Sequence, residues 1–230
     1  MNGWNHYIDN YCERLEPGFW AEPLNALSNL AFLIAAFVVG LSLKRRGAVE
    51  AHVLVAILAA IGVGSFLFHT FATRWAALAD VIPIAAFILY FLYLANRHFL
   101  GFNALLSILV TLLFFPYAPI ATYSIGALFP LIGSSAAYGS VALLIFIYAA
   151  MLLRRRPEAA RDLALGGLML VISTGFRIAD EPFCDLFPSG THMYWHIINA
   201  IMLAWMILLI QKTVDGRRNR SPTSDDIAVG

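Results

Sequence analysis

Three histidines, an aspartate and a serine lie in or at the ends of strongly apolar runs. A charge at the centre of a bilayer-spanning helix costs on the order of 2.5–3.5 kcal/mol on insertion scales, so ionisable groups in such runs need a reason. Ser65 and His69 are four residues apart in Gly64-Ser-Phe-Leu-Phe-His69, on one face of a helix. His192 and His196 repeat that spacing in His192-Met-Tyr-Trp-His196. Two imidazoles at i and i+4 can ligate one metal ion. The residues between them are bulky and apolar and no Glu follows His192, so a soluble zinc protease is not implied. With His69 as third ligand, three neutral imidazoles and an open fourth position form the donor set of a catalytic Zn²⁺ site. Asp80 can take a proton from an activated water or orient a ligand imidazole. Ser65 can donate a hydrogen bond to a developing oxyanion. Each residue also has a plainer role: a histidine in the interfacial belt, a serine bonded to the i−4 carbonyl, an aspartate capping a helix. His6, His52 and His98 are assigned to those roles, because none is matched with another histidine at the outer level.

The elements that must hold these residues are membrane helices. Hydrophobic residues make up 60% of the 230 and charged residues 13%, against roughly 45–50% and about 25% in soluble domains. Mean hydropathy is +0.76. Those values exclude a disordered chain and a water-soluble globule. A net charge of +1 with no basic stripe excludes a nucleic-acid module. A crossing needs roughly 20 mostly apolar residues. Seven runs qualify: 24–43, 52–71, 77–95, 102–118, 135–153, 163–176 and 192–210. The sixth is short unless residues 159–162 supply its first turn. Pro116 and Pro119 are expected to end the fourth, leaving 120–134 as an outer loop. No run alternates like a transmembrane strand, so the fold class is all-α, a polytopic seven-helix bundle.

Of the 15 Lys and Arg residues, Arg14, Arg74 and Arg177 fall on one side of a seven-crossing chain and the rest on the other. The positive-inside rule then places the N-terminus outside and the C-terminus in the cytoplasm. Residues 1–213 form a single domain, and 214–230 are expected to be a polar, disordered cytoplasmic tail. Residues 1–21 lack the basic start and cleavage site of a signal peptide, so the first crossing is expected to act as an uncleaved anchor.

The outer side collects Asp9, Glu13, Glu16, Glu22, Asp80, Asp180, Glu181 and Asp185. Bound cations would ease their mutual repulsion, and so would solvent screening in loops. Cys12 and Cys184 are also outer residues. They can form a disulfide in an oxidising compartment, or remain two thiols too far apart to bridge.

The pattern resembles the alkaline ceramidase family, within a superfamily of seven-helix membrane hydrolases that includes the adiponectin-receptor type. The resemblance is carried by Asn10-Tyr-Cys-Glu13, Glu22-Pro-Leu-Asn25-Ala-Leu-Ser28-Asn29, Gly64-Ser65-Phe-Leu-Phe-His69, Asp80 and His192 to His196, in the family's order along most of the chain. It implies zinc held by His69, His192 and His196, with Ser65 and Asp80 as catalytic groups. It implies hydrolysis of the amide of a ceramide-like membrane lipid to a fatty acid and a sphingoid base. It also implies a Cys12–Cys184 disulfide and a regulatory Ca²⁺ near Asp9 or Asn10, Tyr11, Glu13, Leu15 or Glu16, and Glu22. At Leu15 a side-chain ligand of the animal pattern is replaced, and Glu13 and Glu22 are closer together than in that pattern. The wording around Tyr11–Arg14 and Trp20–Pro23 is more similar to the bacterial branch, which implies a bacterial inner membrane with the site toward its outer side. Two other functions fit the same residues: hydrolysis of another N-acyl or ester lipid, and a non-catalytic lipid receptor with structural zinc. A transporter lacks support, since no charged chain runs through the bilayer middle.

Overall fold

The computed structural model describes residues 3–43 and 47–218. Lys44–Arg46 and residues 219–230, with most of the expected tail, lie outside the described residues. The helices are α1 (Pro23–Ser28), α2 (Leu30–Leu43), α3 (Val49–Phe71), α4 (Arg74–His98), α5 (Ala104–Leu112), α6 (Phe114–Leu128), α7 (Ala136–Leu152), α8 (Pro157–Ala179) and α9 (His192–Arg218). Seven segments are long and apolar enough to cross a membrane: Pro23–Leu43, Val49–Phe71, Arg74–His98, Ala104–Leu128, Pro130–Leu152, Pro157–Ala179 and His192–Gly216. The described residues contain no β-strand beyond an isolated bridge between Tyr7 and Thr73. The chain is a multi-pass membrane protein.

Three expectations need correction. The fourth crossing does not stop at its prolines. It breaks at Leu113, whose N–H turns to the Val110 carbonyl, and restarts as α6. Pro116 therefore falls in a first turn, where its missing N–H costs nothing. Pro119 is accommodated inside the helix, and the expected outer loop is mostly helical. The last helix runs on to Arg218, so the start of the expected tail is helical. The sixth crossing takes its first turns from 157–162 and reaches full length.

Helix α9 packs against α1, α2, α3, α4 and α8, so the face that carries His192 and His196 is enclosed. Leu54, Leu58, Ile207 and Ile210 are fully buried at its contacts. Large apolar side chains such as Leu105, Leu109, Phe115 and Ile120 point outward from α5 and α6. That arrangement suits a solvent of lipid tails as apolar as leucine.

Residues 6–22 fold across one end of the bundle. The Ile8 N–H donates to the Ala72 carbonyl at 2.8 Å and the Arg74 N–H to the His6 carbonyl at 3.2 Å. Ala72 holds a left-handed φ of 44° in the tight turn between α3 and α4. A Cys12–Cys184 disulfide, with Cα atoms 5.3 Å apart, ties this segment to the α8–α9 connection.

Gly64 sets the approach of α3 to α4 beside Ser65 and Asp80. A Cβ there would run into the Ala79 carbonyl. Overpacking of this kind costs about 1–3 kcal/mol. Gly64→Ala is therefore expected to lower the melting temperature of the detergent-solubilised protein by several degrees. Gly175→Ala, whose Cβ meets nothing within 4 Å, is the control and should not. Equal melting of the two variants would contradict the close approach.

Candidate metal centre

His69 lies in the last turn of α3, and His192 and His196 occupy the first turns of α9. The start of α9 is fixed by a buried carboxylate. Asp180 Oδ1 accepts from the Thr191 and His192 N–H groups at 2.6 and 2.8 Å, and Oδ2 accepts from the Cys12 N–H at 3.0 Å. Such a cap satisfies orphan donors of the helix and complements its dipole. Gly190, at φ 67°, lets the loop close over this carboxylate, which a Cβ would strike.

The three imidazoles are buried, and one ligand atom from each lies within 4.8 Å of the others. Two of them have their Nδ1 atoms engaged by partners outside the triad. His69 Nδ1 bonds Glu22 Oε2 at 2.6 Å, and His196 Nδ1 bonds Ser28 Oγ at 2.7 Å. The Ser28 hydroxyl donates to the Asn25 carbonyl, so it accepts from His196. Carboxylate and hydroxyl acceptors thus place both ring protons on Nδ1. The two Nε2 atoms face each other at 3.1 Å with lone pairs inward. Two lone pairs at that spacing call for a shared cation, and zinc takes imidazole nitrogen at about 2.0–2.1 Å. His192 Nδ1 and Asp80 Oδ1 are buried without a hydrogen-bond partner among the described residues. Unpaired buried polar atoms cost about 1–3 kcal/mol each. Both residues line one cavity of about 180 Å³ with Ser65 and His196. The donor set, its outer partners and the two orphaned atoms fit a bound metal ion.

Around this core the charges are arranged in layers. Burial would raise the Glu22 carboxyl, but its hydrogen bond with His69 and its pairing with Arg14 outweigh that and hold it below its ordinary value. Arg14 Nε donates to Glu22 Oε1 at 2.5 Å and Nη2 to the His69 carbonyl at 2.8 Å. The Tyr11 ring stacks on His192 with centroids 3.9 Å apart. Burial pushes its phenol above the usual range against the pull of Arg177. Arg177 donates to Ser135 Oγ at 2.9 Å and lies over the Tyr11 and Tyr138 rings at 5.9 and 5.6 Å.

The structure thus brings Ser65, Asp80, His192 and His196 to one cavity, sets His69 against His196, and joins Cys12 to Cys184. Of the residues expected near calcium, Glu22 touches His69, and the Tyr11 ring lies on His192. Glu13 binds the Leu24 and Asn25 N–H groups at 2.6 and 2.8 Å. Burial raises its carboxyl against those two bonds. Asp9 and Asn10 are exposed. Sequence reasoning gave no site role to Arg14, Arg177 or Asp180, and none to Ser28 beyond the resemblance. Ser28 had a signal of its own: Asn25, Ser28 and Asn29 are polar residues at i, i+3 and i+4 in an otherwise apolar run.

A multi-pass helical bundle with a buried histidine triad that could hold a metal, beside a buried carboxylate, defines the class of protein. The chain belongs to the Ceramidase family, whose profile matches residues 9–227. Membership makes it a hydrolase of amide bonds with a ceramide-hydrolysing function. A comparison with individual curated proteins finds no match.

Proposed function

We propose that this protein is a zinc-dependent amidase that cleaves a ceramide-like lipid within the membrane to a fatty acid and a sphingoid base. The observation that carries this reading is the facing pair of His69 and His196 Nε2 atoms, each with its ring proton held on the far side. His69, His192 and His196 would hold the ion. When bound, zinc supplies Lewis acidity and lowers the pKa of water toward neutrality. Asp80 Oδ1 takes the proton from the attacking water and returns it to the departing amine nitrogen. The Ser65 hydroxyl donates to the amide oxygen as it gains charge.

A second cavity, almost wholly apolar, shares Phe32, Ile61, Ile84, Tyr138 and Trp195 with the first. Its walls reach from Trp195 to Met206. That is roughly 16 Å along α9 at 1.5 Å per residue, room for a long alkyl chain. The distribution of Lys and Arg supports placing the site at the outer end of the bundle, and the resemblance of residues 11–14 and 20–23 to the bacterial branch is what favours a bacterial inner membrane.

The test is turnover by purified, zinc-loaded protein of a panel of ceramides, N-acyl amino lipids and ester lipids, with products identified by mass spectrometry. Ceramide should yield free fatty acid and sphingoid base, with rate lost on zinc removal. Preference for another lipid amide or an ester would replace the substrate. Equal rates with and without zinc would end the mechanism.

A further inference from the structure

We propose that the Arg14 guanidinium is a built-in cation paired with Glu22, a residue the resemblance assigns to calcium, so that this chain fixes His69 without a second metal. The proposal rests on reading His69 as a ligand of the catalytic ion.

Calcium takes six to eight oxygens at 2.3–2.6 Å, and the residues available do not offer them. Glu22 Oε1 is taken by Arg14, and Oε2 by His69 Nδ1 and by Asn25 Nδ2 at 3.1 Å. Both Glu13 oxygens accept backbone N–H groups. Leu15 is apolar and 89% exposed, the side chains of Asp9, Asn10 and Glu16 lie at the surface, and the Tyr11 carbonyl accepts from the Arg14 N–H at 3.2 Å.

Oxygens converge on Arg14 instead. This residue is 3% exposed. Its guanidinium donates to the Glu22 carboxylate, to the His69 carbonyl, and at 3.3 Å to both the Gly18 carbonyl and the Tyr7 hydroxyl. Four oxygens from separate points of the chain thus surround one permanent positive charge. A guanidinium stays protonated at any physiological pH, so Glu22 keeps a counter-ion whatever the surroundings supply. Glu22 in turn holds the His69 ring by Nδ1, and outer partners of this kind set both the orientation and the basicity of a ligand imidazole. Arg14 is therefore a positioning residue. It touches the metal ligand through its backbone and through Glu22, never the substrate.

Two measurements test this, and neither reads turnover. In the first, wild-type protein, zinc-free and zinc-loaded, is titrated with calcium chloride by calorimetry and followed by thermal melting. No heat of binding and no shift in melting temperature are expected up to about 1 mM, the weak end of protein calcium sites. Saturable binding below that concentration would overturn the proposal. This arm decides whether or not the protein proves to hold zinc, so it separates the proposal from the zinc reading.

In the second, cobalt(II) affinity is followed through the visible spectrum of the ion. Arg14→Ala should weaken it about 10–100-fold, the usual effect of removing an outer-sphere partner. Arg14→Lys should recover part of the loss, and so should millimolar guanidinium added to Arg14→Ala, with sodium at equal ionic strength giving none. Unchanged cobalt affinity in Arg14→Ala, or rescue by any salt alike, would overturn the proposal. If Arg14→Ala does not fold, Arg14→Lys and the calcium titration decide.

Discussion

His196→Ala is expected to take bound zinc from one ion per chain to none, and amide hydrolysis down by roughly a thousandfold or more. A thousandfold is about 4 kcal/mol of transition-state stabilisation, the scale of losing one principal electrostatic contact. The size follows from the arrangement. His196 Nε2 sits 3.1 Å from His69 Nε2, and its removal leaves only two imidazoles, one short of the three protein ligands of a catalytic zinc site. The fold should survive, because the start of α9 is held by Asp180 through the His192 N–H and not by His196. Metal analysis and a melting curve on one preparation check both halves. His52→Asn is the control. His52 bonds the Ala48 carbonyl at the other end of α3 and touches none of the site. Retained zinc and retained turnover in His196→Ala would remove the triad from the chemistry.

Asp80→Asn is expected to keep zinc and lose rate. The substitution preserves volume, so packing against Gly64 and α3 is undisturbed, but an amide cannot accept the proton that a carboxylate takes. Positioned acid–base groups contribute about 10²–10⁴-fold, and the fall should appear in kcat with KM nearly constant. The unpaired Oδ1 in the shared cavity is the reason for expecting so large an effect from one atom. A kcat within a few-fold of wild type would assign proton transfer to another group.

The two variants together separate holding the ion from moving the proton. That separation was legible in the sequence for a physical reason. Polar side chains inside apolar runs are rare because they are costly, so Ser65, His69, His192 and His196 stood out, and i,i+4 spacing placed them on helix faces. Crossing number was legible for the same reason. What was not legible depends on contacts between distant segments. Glu22 meets His69 across 47 positions and Ser28 meets His196 across 168. Only the packing of α1 against α3 and α9 makes those pairs. Arg14 reads in the sequence as one more charge in a polar stretch. Its burial appears only when residues 6–22 fold over the bundle. The fourth crossing was misread because the cost of a proline depends on its place in a turn. Leu113 starts a new turn and makes Pro116 harmless.

The triad draws one imidazole from the second crossing and two from the seventh, and the disulfide joins positions 172 apart. On a translating ribosome, therefore, the pocket stays two ligands short until almost the whole polypeptide has been threaded into the lipid. A nascent chain halted before residue 192 would carry a single ring of the three. On the function proposed above, unfinished copies would have no activity toward the lipids around them.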